Sequence, residues 1–333
     1  MGCRQSINHF LASGVPASYF GIVLGLAGLG SVWRAAHRVW GLSAIWGEGL
    51  MFLAVVVWAA FIVGYGARWI FTRKESLAEL DHPVQCCFVG LIGVSTSLVA
   101  IVTSPYSLAV ANILFTAGAI YTFAFGLWRT GLLWRGERDH ASTTPVLYLP
   151  LVAGAFVTAN AAATLGYPDW AQLAFGAGLF SWLAIESVLL HRLYTASALP
   201  PTMRPLLGIQ LAPPAVGAVA YLSITGGAPD LVSSALVGYA ILQALLLIRM
   251  LPWIMQQPFA ASYWAFTFGA TALAGAPLRM IERGETGAAS ILAPYLFVAA
   301  NLTVGLVAAG TLRLLARSLW SREAANSEPS HAK

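Results

Sequence analysis

Charge is what this sequence has least of. Only 9% of its 333 residues are Asp, Glu, Lys or Arg, against roughly a quarter in a soluble domain. Cysteine is nearly as scarce: Cys3, Cys86 and Cys87 form no Cys-x-x-Cys pair and no disulfide framework. The histidines are His9, His37, His82, His140, His191 and His331. They fall at the ends of apolar runs, in loops or in tails, and no two share a run at helical spacing. Haem and metal-hydrolase centres need such clusters inside the fold, so no metal and no cofactor is expected. No phosphate-binding loop occurs. Gly25-x-x-Gly28-x-Gly30 lies inside an apolar run with no strand before it, which excludes a dinucleotide loop. Gly21-x-x-x-Gly25 suits close helix packing instead. An enzyme is therefore not expected.

Long apolar runs are present in abundance. The chain is 58% hydrophobic with a mean hydropathy of +0.74. About 20 apolar residues cross a bilayer as a helix, and the period-2 alternation of a membrane barrel is absent. The fold class is all-α and polytopic. Ten spans are predicted: 16–34, 47–67, 83–103, 107–128, 146–165, 170–191, 205–225, 230–249, 259–278 and 288–314. This divides the chain into an N-terminal segment (1–15), a membrane domain (16–316) and a short polar tail (317–333), read as disordered. The first apolar run leads straight into a span, so no cleavable signal is expected. MGCRQS fits a myristoylation pattern at Gly2 and Ser6, a weak signal in a chain anchored by many spans.

The net charge is +5 and the pI about 9.3. Nucleic acid is not the simplest reason for this excess. Placing the even-to-odd connections and both termini on one side gives that side fourteen of the 18 Lys and Arg, including Arg68, Arg73, Lys74, Arg129, Arg135, Arg192 and Arg204. The other side holds Arg34, Arg38, Arg279 and Arg283. The positive-inside rule then makes both termini cytoplasmic, and an even number of spans agrees.

The spans alternate in character. Odd spans carry glycine, proline and small polar residues; even spans, such as MFLAVVVWAAFIV and ILQALLLI, suit contact with lipid. Broken backbone inside a membrane is tolerated where neighbours or water satisfy the freed groups. Five hairpins are expected, with the odd helices as an inner ring around a central pore and the even helices outside. Candidates for lining that pore are Gly25, Gly93, Ser97, Pro150, Gly154, Pro213, Pro214, Gly217 and Gly269. Between Pro258 and Pro277 no residue is charged, and Trp264, Phe266 and Phe268 precede Gly269. Such rings line a narrow passage or pack against lipid.

Ionisable residues inside spans are functional candidates. Glu186 and Arg249 are read either as a structural pair or, for Glu186, as a coupling site. By these boundaries the inner ring carries no charge at membrane depth. A cation path would show carboxylates or ordered carbonyls, so small anions are the expected cargo, although neutral solutes fit as well.

Several stretches together resemble one family. VPASYFGIVLGLAGLGSVWR, DHPVQCCFVGLIGVSTSL, TTPVLYLPLVAGAFVTANAAATLGY, GIQLAPPAVGAVAYLS, LIRMLPW and SYWAFTFGATALA are similar, in the same order, to the tellurite-resistance/dicarboxylate transporter family. That family includes plant guard-cell slow anion channels and fungal malate and sulfite transporters. The resemblance implies ten helices as five hairpins, a pore in each subunit of a homotrimer, and a bacterial inner-membrane location. It implies that the second phenylalanine of WAFTFG, Phe268, occludes the pore. It further implies transport of chloride, nitrate, dicarboxylates or other oxyanions, by a channel or a proton-coupled transporter, with tellurite resistance as a phenotype. Two positions depart from the family pattern: span 7 has the pair Pro213-Pro214, and span 3 has Gly93 in place of a proline.

Overall fold

The computed structural model describes residues 15–136 and 142–327. Arg4, the Gly2 myristoylation pattern, Arg138, His140, nearly all of the N-terminal segment and residues 328–333 lie outside them. All regular structure among the described residues is helical. The long helices are α1 (Phe20–Trp40), α2 (Ala44–Phe71), α3 (Leu91–Thr103), α4 (Leu108–Leu133) and α5 (Gly154–Thr164), followed by α6 (Pro168–Thr195), α7 (Ala212–Ile224), α8 (Leu231–Ile254), α9 (Thr267–Glu282) and α10 (Ala288–Ser327).

Every odd helix has a lead-in that is not continuous α-helix. Ala17–Tyr19 is a 3-10 turn before α1, and Gln85–Val89 is a separate short helix before α3. A 3-10 turn, Pro145–Tyr148, and a π turn, Leu149–Ala153, precede α5. The 3-10 segments Pro201–Leu211 and Ala261–Phe266 precede α7 and α9. Proline supplies part of the reason. Pro145 and Pro150 sit in the lead-ins of α5, and Pro205 in that of α7, where each removes a donor from the ladder. The even helices carry no such interruption and run as single α-helices.

Counted with their lead-ins, nine of the helices among the described residues are long and apolar enough to cross a membrane. The remaining one, α9, rises about 24 Å over its α part, and its lead-in adds about 12 Å. Consecutive helices pair as α1–α2, α3–α4, α5–α6, α7–α8 and α9–α10. The odd helices also touch in a closed circuit: α1 on α3, α3 on α5, α5 on α7, α7 on α9 and α9 back on α1. Burial follows parity. The most apolar stretches of the first four odd spans are 61–83% buried, whereas those of the even spans are 22–33% buried. Exposed Phe52, Ile113, Leu173 and Leu245 face outward, as lipid contact requires.

Several boundaries move, and three of them bear on the site or the tail. The helix α1 continues to Trp40, where Gly41 at φ 68° donates its N–H to His37 O at 2.9 Å; left-handed backbone at that capping position is where glycine is cheapest. Arg38 therefore lies on the same helix as Arg34 and not in a loop. Arg279 lies inside α9 for the same reason: an apolar-run criterion stops at the first charge, although a long side chain at a helix end keeps its head group in a polar site. The last helix continues to Ser327, where the sequence reading placed a disordered tail after 316.

Candidate functional site

Three cavities lie in a row along the inner faces of the odd helices. The inner one, about 390 Å³, is walled by Leu24, Leu91, Phe156, Val216 and Phe268, one from each odd helix. Ser18, Gln85, Thr202 and Ser262 from the lead-ins also line it. The middle cavity is small, about 50 Å³, and is lined by Gly28, Leu98, Val157, Val219 and Thr271. The outer one, about 420 Å³, is lined by Ser31, Ile101, Thr164, Ser223 and Arg279. The residue numbers rise in the same direction along all five helices, so the five run parallel.

Two pairs of side chains mark the divisions. Phe268 and Val216 line both the inner and the middle cavity. Ser31 and Arg279 line both the middle and the outer one. Phe268 is the second residue of α9, just past its 3-10 lead-in, and its carbonyl accepts from Thr271 Oγ1 at 3.0 Å. Opposite, a Cβ on Gly28 would lie 3.4 Å from Phe268 Cδ2 and 2.3 Å from Thr271 Oγ1. Gly28 thus leaves room for the ring.

Most of the glycines expected to line a pore serve a different contact. A Cβ on Gly25 would meet Thr267, on Gly154 it would meet Thr122 Cγ2 at 2.1 Å, and on Gly269 it would meet Leu211 at 2.9 Å. Gly93 faces Thr122 and Gly118, and Gly217 faces the Phe156 ring. Ser97 is buried beside Gly118, and Pro150 abuts Gly90 and Gly126. Of the nine candidates, Pro213 lines the inner cavity; its neighbour Pro214 is buried. Trp264 does two things: it lines the inner cavity and donates from Nε1 to Thr311 Oγ1 at 2.9 Å. Phe266 packs over Gly208 and stacks on Tyr263.

Glu186 is buried behind the cavities and surrounded by neutral donors. Its Oε2 accepts from the Tyr148 hydroxyl and from Trp182 Nε1 at 2.9 Å. Its Oε1 accepts from Gln210 Nε2 at 3.0 Å, the Tyr239 hydroxyl at 2.7 Å and Gln243 Nε2 at 3.3 Å. Gln210 also donates to the Tyr148 hydroxyl at 3.1 Å, and Gln243 to that of Tyr239 at 2.8 Å. Both tyrosines are thereby polarised toward the carboxylate. The expected pair with Arg249 does not form, because Arg249 is exposed on α8 while the carboxylate is saturated by neutral groups from α6, α8 and two lead-ins.

The outer cavity is the cationic part. Arg34, Arg38, Arg279 and Arg283 line it together with Glu282. Arg34 makes a bidentate pair with Glu48, both contacts at 2.7 Å, and Arg38 pairs with Glu282 at 2.6 Å. Arg283 donates to the carbonyls of Leu222 and Thr225 at the end of α7, the latter at 2.6 Å. These groups escaped the sequence reading because each stands at or just beyond a hydropathy boundary. The i, i+4 spacing of Arg34–Arg38 and of Arg279–Arg283 was the signal that could have found them.

A row of largely apolar cavities ending in a guanidinium-rich one, with no lining carboxylate among the described residues except the paired Glu282, suits a dehydrated anion better than a cation. Comparison with other proteins agrees. Residues 14–312 match the family described as SLAC1, voltage-dependent anion channel. The tellurite resistance protein TehA homolog of Haemophilus influenzae is 35% identical over 304 residues, covering 91% of this chain and 92% of its own. An uncharacterized transporter of Methanocaldococcus jannaschii, MJ0576, is 28% identical over 66% of this chain and 70% of its own. The S-type anion channel SLAH2 of Arabidopsis thaliana is 24% identical over 87% of this chain and 57% of its own. The chain belongs to the SLAC1 family of voltage-dependent anion channels.

Proposed function

We propose that the protein conducts small anions through the row of cavities enclosed by its odd helices, and that Phe268 is the gate. The observation that carries this reading is the position of the Phe268 ring, which lines the inner and the middle cavity at once. A side chain shared by two otherwise separate spaces is where one rotamer change joins them. Gating by an apolar constriction is a known physical device. Chloride, nitrate, a dicarboxylate or another oxyanion is the cargo, and a link to tellurite resistance follows the name of the Haemophilus relative. The unit in the membrane is a homotrimer of ten-helix subunits in a bacterial inner membrane, with both termini cytoplasmic. That places the lead-ins and inner cavity on the cytoplasmic side and the arginines outside.

Coupled transport through Glu186 is less well supported, since Glu186 lines none of the three cavities and its oxygens are occupied. The test is voltage clamp on Phe268→Ala. The variant is expected to carry large currents whose reversal potential follows the anion gradient. Wild-type-like current at equal surface expression would refute the gate, and a reversal potential following the cation gradient would refute anion conduction. Proton-driven uptake that Glu186→Gln abolishes would favour the transporter instead.

A further inference from the structure

Among the cavity-lining arginines, Arg279 differs in what holds it. Its hydrogen bonds among the described residues all leave from Nη1: to Asn160 Oδ1 at 3.4 Å, to Val219 O at 3.4 Å and to Ser223 Oγ. No carboxylate among the described residues lies within ion-pair distance; Glu282, one turn on, is engaged by Arg38. The end of α7 does not need Arg279 either, since Arg283 already holds the carbonyls of Leu222 and Thr225. What remains is the Nε–Nη2 edge, two N–H donors in the side-on fork that fits two oxygens of one planar anion. The residue is partly buried and lines both the middle and the outer cavity. The middle cavity, about 50 Å³, exceeds the space of about 10–15 Å³ that one water needs, and so admits a small anion.

The geometry points to Arg279 as an anion-binding residue at the outer end of the middle cavity, taking a small planar oxyanion such as nitrate through its Nε–Nη2 edge. The inference rests on the conduction reading for its role in transport, though not for binding itself. Asn160 and Ser223 act as positioning residues that hold Nη1, so the free edge keeps one orientation. A bound anion has left most of its hydration shell there, and the fixed guanidinium offsets part of that loss. A halide engages the same charge without using the paired geometry, so the site favours nitrate over chloride.

The test has two arms. In the first, purified protein in detergent is melted in sodium nitrate, sodium chloride and sodium gluconate at equal ionic strength. Wild type is expected to gain stability with nitrate, as any ligand that binds only the folded state produces, and to gain less with chloride. Arg279→Gln should lose the nitrate shift, and Arg279→Lys should keep a shift that no longer distinguishes nitrate from chloride. Equal nitrate shifts in wild type and both variants, or none in wild type, would overturn the site. In the second arm, currents are read in the Phe268→Ala background. Adding Arg279→Gln should raise the half-saturating external nitrate concentration by about tenfold, equivalent to about 1.4 kcal/mol. Arg279→Cys should recover chloride half-saturation after external treatment with a positively charged thiosulfonate reagent, an effect that a purely structural arginine would not show. Nitrate binding without current in Phe268→Ala would refute conduction and leave the site standing; current with unchanged half-saturation in Arg279→Gln would do the reverse.

Discussion

Replacing Glu186 by glutamine tests whether the buried cluster is built around an acceptor-only group. A glutamine offers one carbonyl oxygen where the carboxylate offers two. Turned toward Gln210, Tyr239 and Gln243, that oxygen satisfies the three donors now shared by Oε1. The new amide N–H₂ then faces Tyr148 and Trp182. A tyrosine hydroxyl can rotate and accept, whereas an indole N–H donates only. At least one buried donor is left unpaired and one charge-assisted bond is lost, a cost on the order of 2–4 kcal/mol. The measurement is the melting of detergent-purified protein, followed by tryptophan fluorescence and by size-exclusion recovery after heating. Glu186→Gln is expected to melt well below wild type, and Tyr148→Phe to fall between them. A glutamine variant that melts together with wild type would refute the reasoning, because it would mean that the cluster does not need an acceptor on both sides of the side chain.

The remaining expectations concern packing and a helix cap. Gly154→Ala places a methyl 2.1 Å from Thr122 Cγ2 and should cost about 1–3 kcal/mol by overpacking; Thr122→Ser, which removes that methyl, should restore much of the loss in the double variant. Asp230 caps α8, accepting from Ser233 N at 2.9 Å while its own N–H donates to Ser233 Oγ at 3.0 Å. The Ser233 backbone N–H, followed by the Tyr221 hydroxyl, holds its pKa below the ordinary 3.8. Because the folded value is the lower one, this contribution is complete above about pH 4 and is lost as the pH falls through the depressed value. Asp230→Asn preserves the cap and should flatten the acid-side loss of thermal stability, whereas Asp230→Ala should lower stability at neutral pH as well.

Much of the architecture was legible because bilayer insertion is read through composition. Apolar length found the helices, and proline with glycine marked the odd helices as the broken, buried ones. The lining was harder to read. Glycine reports where two helices approach, and in Gly93, Gly154 and Gly269 the approach is to a neighbouring helix and not to a cavity. The cavity walls are ordinary apolar side chains such as Leu24, Phe156 and Val216, which nothing in sequence separates from core. Phe268 could be selected among three rings only through family resemblance, since its distinction is which space it borders. Arg279 and Glu186 show the same limit for charge: depth in sequence did not reveal that the first would line two cavities and the second would be enclosed by five donors.

The interrupted lead-ins have a mechanical consequence. A continuous α-helix resists bending because each backbone bond repeats the same ladder, while 3-10 and π turns interrupt it and are where helices flex. In this bundle every such joint sits on an odd helix and at the same end, around the inner cavity. The outer half is therefore a stiff collar of parallel rods, and the inner half a ring of short jointed segments leaning on unjointed even helices. Displacement imposed at the inner face is absorbed within the lead-ins, and Phe268, two residues beyond the last of them, stands where compliance gives way to rigidity.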